Sequence, residues 1–250
     1  MKKTNYYIPQ KLLGTQNAKT IKGNKIGWQT HIVYLSPFTK NSKGINLCPH
    51  ASAGCAAACL VGAGRGKFTS VERARRNKTE YFLHDREGFL AQLHKELMLI
   101  SKKQKETGNK IAIRLNGTSD VRWEKFKIKD NKNIFELFPN LQFYDYTKNH
   151  LRFEQAMPKN YSLVFSRSED NHEKSIELFK KGIKVAVVFD KIPNKFEGFK
   201  VVDGDENDLT FLQKNGVVIG LYLKNTTNNK KAYKTGFAIQ TLPTKKKVLK

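Results

Sequence analysis

A repeating alternation constrains this chain most. Short apolar runs recur along it, each ended by a polar turn, with helical or loop-like stretches between them. Gly27 to Leu35 reads as a strand stopped by Ser36-Pro37. Ile111 to Leu115 reads as a second and runs into Asn116-Gly117-Thr118-Ser119-Asp120. Leu141 to Tyr146 leads into Thr147-Lys148-Asn149, Ser162 to Phe165 into Ser166-Arg167-Ser168, and Lys184 to Phe189 into Asp190. Phe199 to Val202 meets Asp203-Gly204-Asp205, and Val217 to Leu223 closes the series. Strands separated by crossovers of this kind predict a mainly parallel sheet. The run Val185-Ala186-Val187-Val188-Phe189 suits a strand covered on both faces.

Helices are predicted from Ser70, as N-cap, to His84, and from Glu87 to Lys105, where Phe89, Leu90, Leu93, Leu97 and Ile100 recur at helical spacing. A third runs from Asn171 to Lys181 and stops at Gly182. Roughly seven strands suffice for a partial or open (β/α) barrel and are marginal for a closed one. The expected fold class is therefore α/β with mainly parallel strands. The expected organisation is a single barrel-like domain over residues 26–225 with a cysteine loop at 46–66. A basic N-terminal extension (1–25) and a basic C-terminal segment (226–250) flank it, and Thr244 to Lys250 reads as a frayed arm.

Composition narrows the class. No apolar run approaches the roughly 20 residues of a membrane span. Met1 to Tyr7 has no apolar core of a secretory signal, and three cysteines within a short stretch are no disulfide framework. A cytoplasmic location is expected, with no membrane partner. Charge is uneven. Residues 1–71 hold nine Lys, one Arg and no acid, and residues 209–250 hold nine Lys and no acid, within a net charge of +24. Such ends attract a polyanion by phosphate neutralisation and counterion release, so nucleic acid is the expected partner. A solubility surface is the plainer alternative.

The cysteines lie in Leu47-Cys48-Pro49-His50-Ala51-Ser52-Ala53-Gly54-Cys55-Ala56-Ala57-Ala58-Cys59, a C-x6-C-x3-C spacing padded by small residues. Three thiolates suit a soft metal centre. A [4Fe–4S] cluster held by Cys48, Cys55 and Cys59 would leave one iron open. Zinc, with His50 or His31 as fourth ligand, is the alternative, and three small buried thiols are the plain structural reading. Gly62-Ala63-Gly64-Arg65-Gly66-Lys67 follows, and Arg65, Lys67, Arg73, Arg75 and Arg76 form a candidate phosphate-facing set.

Polar groups at the strand ends are the other candidates, because wound sheets build sites there. Asn116, Ser119, Asp120 and Asp145 are candidates for orienting a cofactor. Asp120, Asp203 and Asp205 are candidates for acid–base work, and Glu206 and Asp208 crowd the same turn. Turn chemistry explains Asp-Gly-Asp equally well. Read as Mg²⁺ ligands, Asp120, Asp145, Asp203 and Asp205 would instead suggest a nuclease.

The stretches NLCPHASAGCAAACLVGAGRG, IRLNGTSDVRWE, FPNLQFYDYTKN and VVDGDENDLTFLQKNGVVIGLYLK resemble the phage and plasmid family known as gene product 88, over roughly residues 28–225. That family brings no established activity. A looser resemblance is to the radical S-adenosylmethionine fold, in which a three-cysteine cluster loop follows the first strand of a partial barrel. It implies a [4Fe–4S] cluster and S-adenosylmethionine as cofactor. The cysteine spacing departs from the usual C-x3-C-x2-C, and Asn116-Gly117-Thr118-Ser119-Asp120 stands where a Gly-Gly-Glu segment is usual. The expectation is an iron–sulfur, radical-S-adenosylmethionine-like enzyme associated with nucleic acid. A non-catalytic nucleic-acid-binding protein with a structural metal is the rival.

Overall fold

Apolar runs with β-branched residues form the strands where expected, and they line up in one sheet. The structure is a computed structural model, and it describes residues 6–15 and 18–241. The strands are β1 (Leu13–Gly14), β2 (Trp28–Val33), β3 (Lys110–Arg114), β4 (Gln142–Thr147) and β5 (Tyr161–Ser166). They continue as β6 (Val185–Phe189), β7 (Lys195–Phe196), β8 (Phe199–Asp203), β9 (Val218–Tyr222) and β10 (Ala238–Ile239). The order across the sheet is β1-β2-β3-β4-β5-β6-β9-β8-β7, and β10 pairs with β6 beside that path. Among the described strands only the β1–β2 and β7–β8 pairings are antiparallel. The fold is thus mixed α/β with a mostly parallel ten-stranded sheet, and the sheet is not closed.

From β2 to β6 the strands follow chain order, each parallel to the last. Parallel crossovers are right-handed, so strands laid down in sequence send their crossovers to one face. The helices follow that rule. They are α3 (Thr69–His84), α4 (Arg86–Thr107), α5 (Ile134–Leu137) and α6 (His172–Lys180), besides α1 (Ala18–Asn24), α2 (Ala53–Ala57) and α7 (Asn229–Lys234). Phe82 of α3, Leu93 and Leu97 of α4 and Phe135 of α5 pack with Ile111, Ile113 and Phe143 of the sheet. Leu178 and Phe179 of α6 extend this layer against Val185, Val187 and Phe189. Burying one such side chain stabilises by about 1.5–3 kcal/mol.

Local signals set the helix ends. Asp85 closes α3 and caps α4, accepting from Gly88 N at 2.8 Å. Gly108, at φ +69°, ends α4 in the left-handed region that glycine enters without strain. Ser70 is not the cap of α3. It lies inside the first turn, and Phe68 holds the cap position without a side-chain bond.

The opposite face is lightly covered. Ala112, Tyr144 and Leu209 form one small cluster there, and Val164, Ala186 and Ile219 another. The three strands beyond the expected seven, β1, β7 and β10, are two residues each, too short to leave a pattern. Residues expected to flank the domain contribute to it: β1 and α1 meet β2, and β10 joins β6. Met1 to Asn5 and the arm expected over Thr244 to Lys250 lie outside the described residues. Among those described, no helix is long and apolar enough to cross a membrane.

Candidate functional site at the strand ends

Parallel strands end together, and at that edge the ends of β3, β4, β5, β6 and β9, with the turns after β3, β4 and β9, surround a cavity of about 200 Å³. Asn116, Thr147, Ser166, Val188 and Tyr222 reach it from those five strands. The cysteine loop forms another wall. Cys48, Cys55 and Cys59 all line the cavity, each partly buried.

The loop is held by specific contacts. Ser52 caps α2, its Oγ accepting from Cys55 N at 3.1 Å. Glu169, just past β5, accepts from Ser52 Oγ at 2.7 Å and from Gly54 N at 2.6 Å. Gly54 has no room for a side chain, since a Cβ there would collide with Phe237, Thr235 and Glu169. The segment joining α7 to β10 therefore presses on α2, and Arg167 anchors it by donating to Gly236 O and Phe237 O.

Burial pushes the Cys48 thiol up to about 12, and the neighbouring Cys59 and Cys55 add to the shift. Burial raises Cys59 too, with Cys55 contributing, while Lys40 and Arg75 pull it down. The three sulfurs therefore feel one another. Among the described residues, however, no three His, Cys, Asp or Glu side chains form a group that could hold a metal ion. Neither histidine considered for zinc lines the cavity. His31 sits in register with Ile113, and burial lowers it to about 4, with Lys103 adding to the effect. His50 is exposed.

The turn after β3 is built around Asn116. Its Oδ1 accepts from Ser119 Oγ at 2.9 Å, Val121 N at 2.9 Å and Trp123 Nε1 at 3.1 Å. Its Nδ2 donates to Val121 O at 2.9 Å. The Asn116 side chain thus shapes the turn, while Thr118, Ser119 and Asp120 border the cavity. Asp120 accepts from Lys148 N at 3.0 Å and pairs with Arg152 at 3.4 Å. Asp145 lies on the other face. It is in register with Leu163 beneath the helices and accepts from Asn116 N at 2.7 Å and Tyr161 Oη at 3.0 Å. Burial raises its carboxyl to about 7, against the pull of Arg114.

On the cavity side Asp205 accepts from Tyr222 N at 2.8 Å and pairs with Lys224 at 2.7 Å. Asp203 is exposed and caps its own turn, accepting from Asp205 N at 2.8 Å. Asp120, Asp145, Asp203 and Asp205 therefore do not converge on one point. The cation set divides as well. Arg75 is buried and donates to Gly66 O at 2.7 Å, whereas Arg65, Lys67, Arg73 and Arg76 are exposed.

Several residues at the site went unread in the sequence. Arg114 lines the cavity and pairs with buried Asp208 at 2.9 Å, with Tyr144 and Tyr146 hydroxyls at 3.4 and 3.3 Å from the same carboxylate. Lys148 lines it too and donates to Ser166 Oγ at 2.6 Å. Strand alternation could have flagged Arg114 as a charge within an apolar run. No local signal ties Glu169 to the cysteine loop.

A family model described as Gene product 88 matches residues 11–241. No curated protein matches, and no solved structure matches.

Proposed function

The chain belongs to the gene product 88 family, and from that premise we propose that it is an iron–sulfur protein acting on nucleic acid, with a radical-S-adenosylmethionine-like arrangement. Cys48, Cys55 and Cys59 would hold a [4Fe–4S] cluster against the strand ends. The observation that carries the reading is the shared cavity. Cys48, Cys55 and Cys59 line one void, although among the described residues no three His, Cys, Asp or Glu side chains form a group that could hold a metal ion.

Sequential winding from β2 to β6, with α3 to α6 on one face, supports the partial-barrel side of the reading. When bound, the cluster would supply one-electron chemistry and an open iron. The chain's own residues do the rest. Glu169 and Ser52 fix the cysteine loop, and Asn116 fixes the facing turn. Lys148 presents a cation, with no carboxylate in ion-pair range among the described residues. Val188, Leu221 and Phe237 make part of the wall apolar. The net charge of +24 supports a polyanionic partner.

Anaerobic purification with iron and sulfide analysis tests this. About four irons per chain and a broad band near ~400 nm are expected. Cys48→Ser, Cys55→Ser and Cys59→Ser should each lose most of that iron. A colourless protein with stoichiometric zinc overturns the cluster.

A further inference from the structure

We propose that the surface from Arg65 to Arg76, beside the cavity mouth, binds a single-stranded polynucleotide, with Phe68 stacking on a base and the exposed cations on its phosphates. The proposal rests on the nucleic-acid part of the preceding reading and is independent of the cluster.

Two observations meet on this surface. The first is the ring of Phe68. It is 53% exposed at the head of α3 and stacks on no other ring among the described residues. The core side of α3 is supplied elsewhere, by Tyr81, Phe82 and Leu83. The half-exposed face of Phe68 is available to stack on a base. The second is charge. Arg65, Lys67, Arg73 and Arg76 are exposed, and none has a carboxylate in ion-pair range among the described residues. Arg73 and Arg76 share a shallow groove with Thr69, Ser70 and Glu72.

Glu72 is the only acid before Glu80 in the sequence, and it sits in that groove. It therefore limits phosphate binding there. Arg75, on the same helix, is excluded because it turns inward to Gly66.

The combination favours single strands. A protein-borne ring reaches a base face only when the base is unstacked, whereas cations alone serve a duplex equally. The surface also leads to the site. Leu60 lines the cavity and is 37% exposed, and its carbonyl packs beneath Gly66 where the basic segment begins. A strand lying along Arg65 to Arg76 would thus run to the cavity edge.

The test is fluorescence anisotropy with a labelled oligothymidylate of ~20 nucleotides and with its duplex, from ~50 to ~200 mM salt. The single strand should bind more tightly than the duplex. Phe68→Ala should weaken it by about tenfold and leave the duplex unchanged, while Phe68→Trp restores binding. Arg73→Ala with Arg76→Ala should lower the salt slope for the single strand by about 1.4. Glu72→Gln should tighten binding. Equal binding of strand and duplex, or an unchanged Phe68→Ala variant with wild-type unfolding midpoint, overturns the proposal. Iron measured on the same samples separates the two readings. Iron-free protein with Phe68-dependent binding upholds this surface and sinks the cluster, and iron-replete protein without such binding does the reverse.

Discussion

Strand β4 divides the molecule in a single run of residues. Phe143 and Asp145 point beneath the helices, while Tyr144 and Tyr146 point to the lightly covered face. Each side buries a charged network. Beneath the helices Arg152 pairs with Glu124 at 2.7 Å and donates to Tyr161 Oη at 2.9 Å, and Tyr161 in turn donates to Asp145. On the other face Arg114 pairs with Asp208, and its guanidinium lies 4.6 Å from the Tyr146 ring centre. The chemistry is alike, but the settings differ. Arg152 is closed over by packed rings, whereas Arg114 and Tyr146 border the cavity. The lesson is that a buried charge marks a site only when a void lies beside it.

The largest expected effect tests whether the helix side is as sealed as that contrast requires. Arg152→Met would leave Asp120 without its ion pair and Glu124 with only the half-exposed Arg122, next to a side chain of 0% exposure. Removing one partner of a buried pair costs about 3–5 kcal/mol, read as a drop in urea midpoint at constant slope. A loss under about 1 kcal/mol would mean that water reaches the network and that the two sides are equivalent.

Packing supplies the next contrast. Leu93 is fully buried, and Leu93→Ala should cost about 2–5 kcal/mol by transfer and cavity formation. Leu221 already borders a void, so Leu221→Ala removes fewer contacts and should cost less than about 2 kcal/mol. Equal losses would mean that the cavity closes in solution.

The frame of this contrast was legible in the sequence. Seven strands and the helices α3, α4 and α6 announce themselves through period and, for α6, the stop signal Gly182. The coming together of Cys48, Cys55 and Cys59 on one cavity follows from their loop's place after the first long strand. What strand-end reasoning missed was direction. Asp145 and Tyr146 are neighbours, and strand alternation sends them to opposite faces, yet nothing local says which face is open. Asp208 was passed over for Asp203 and Asp205 because a turn sequence does not reveal which acid turns inward. Partnerships across the chain, Glu169 with Gly54 and Arg167 with Phe237, depend on the fold and leave no spacing to read.

Asp145 carries the finest test of the two-sided view. Burial raises its carboxyl to about 7, with Arg114, the Asn116 amide and Arg152 opposing the shift and Tyr161 donating to it. In the unfolded chain it titrates near the ordinary carboxylate value, so between the two the folded state binds the extra proton. Stability from this group is therefore complete at low pH and lost as pH rises through about 7. From about pH 6 to about pH 8, wild-type stability relative to Asp145→Asn should fall by about 1 kcal/mol in parallel urea titrations. Any constant offset from altered hydrogen bonds to Asn116 and Tyr161 cancels in that difference. Parallel curves would mean that Asp145 stays ionised throughout, balanced by Arg114 and Arg152. The helix side would then hold a full ion network like that of Arg114 and Asp208, and the void alone would distinguish the two faces.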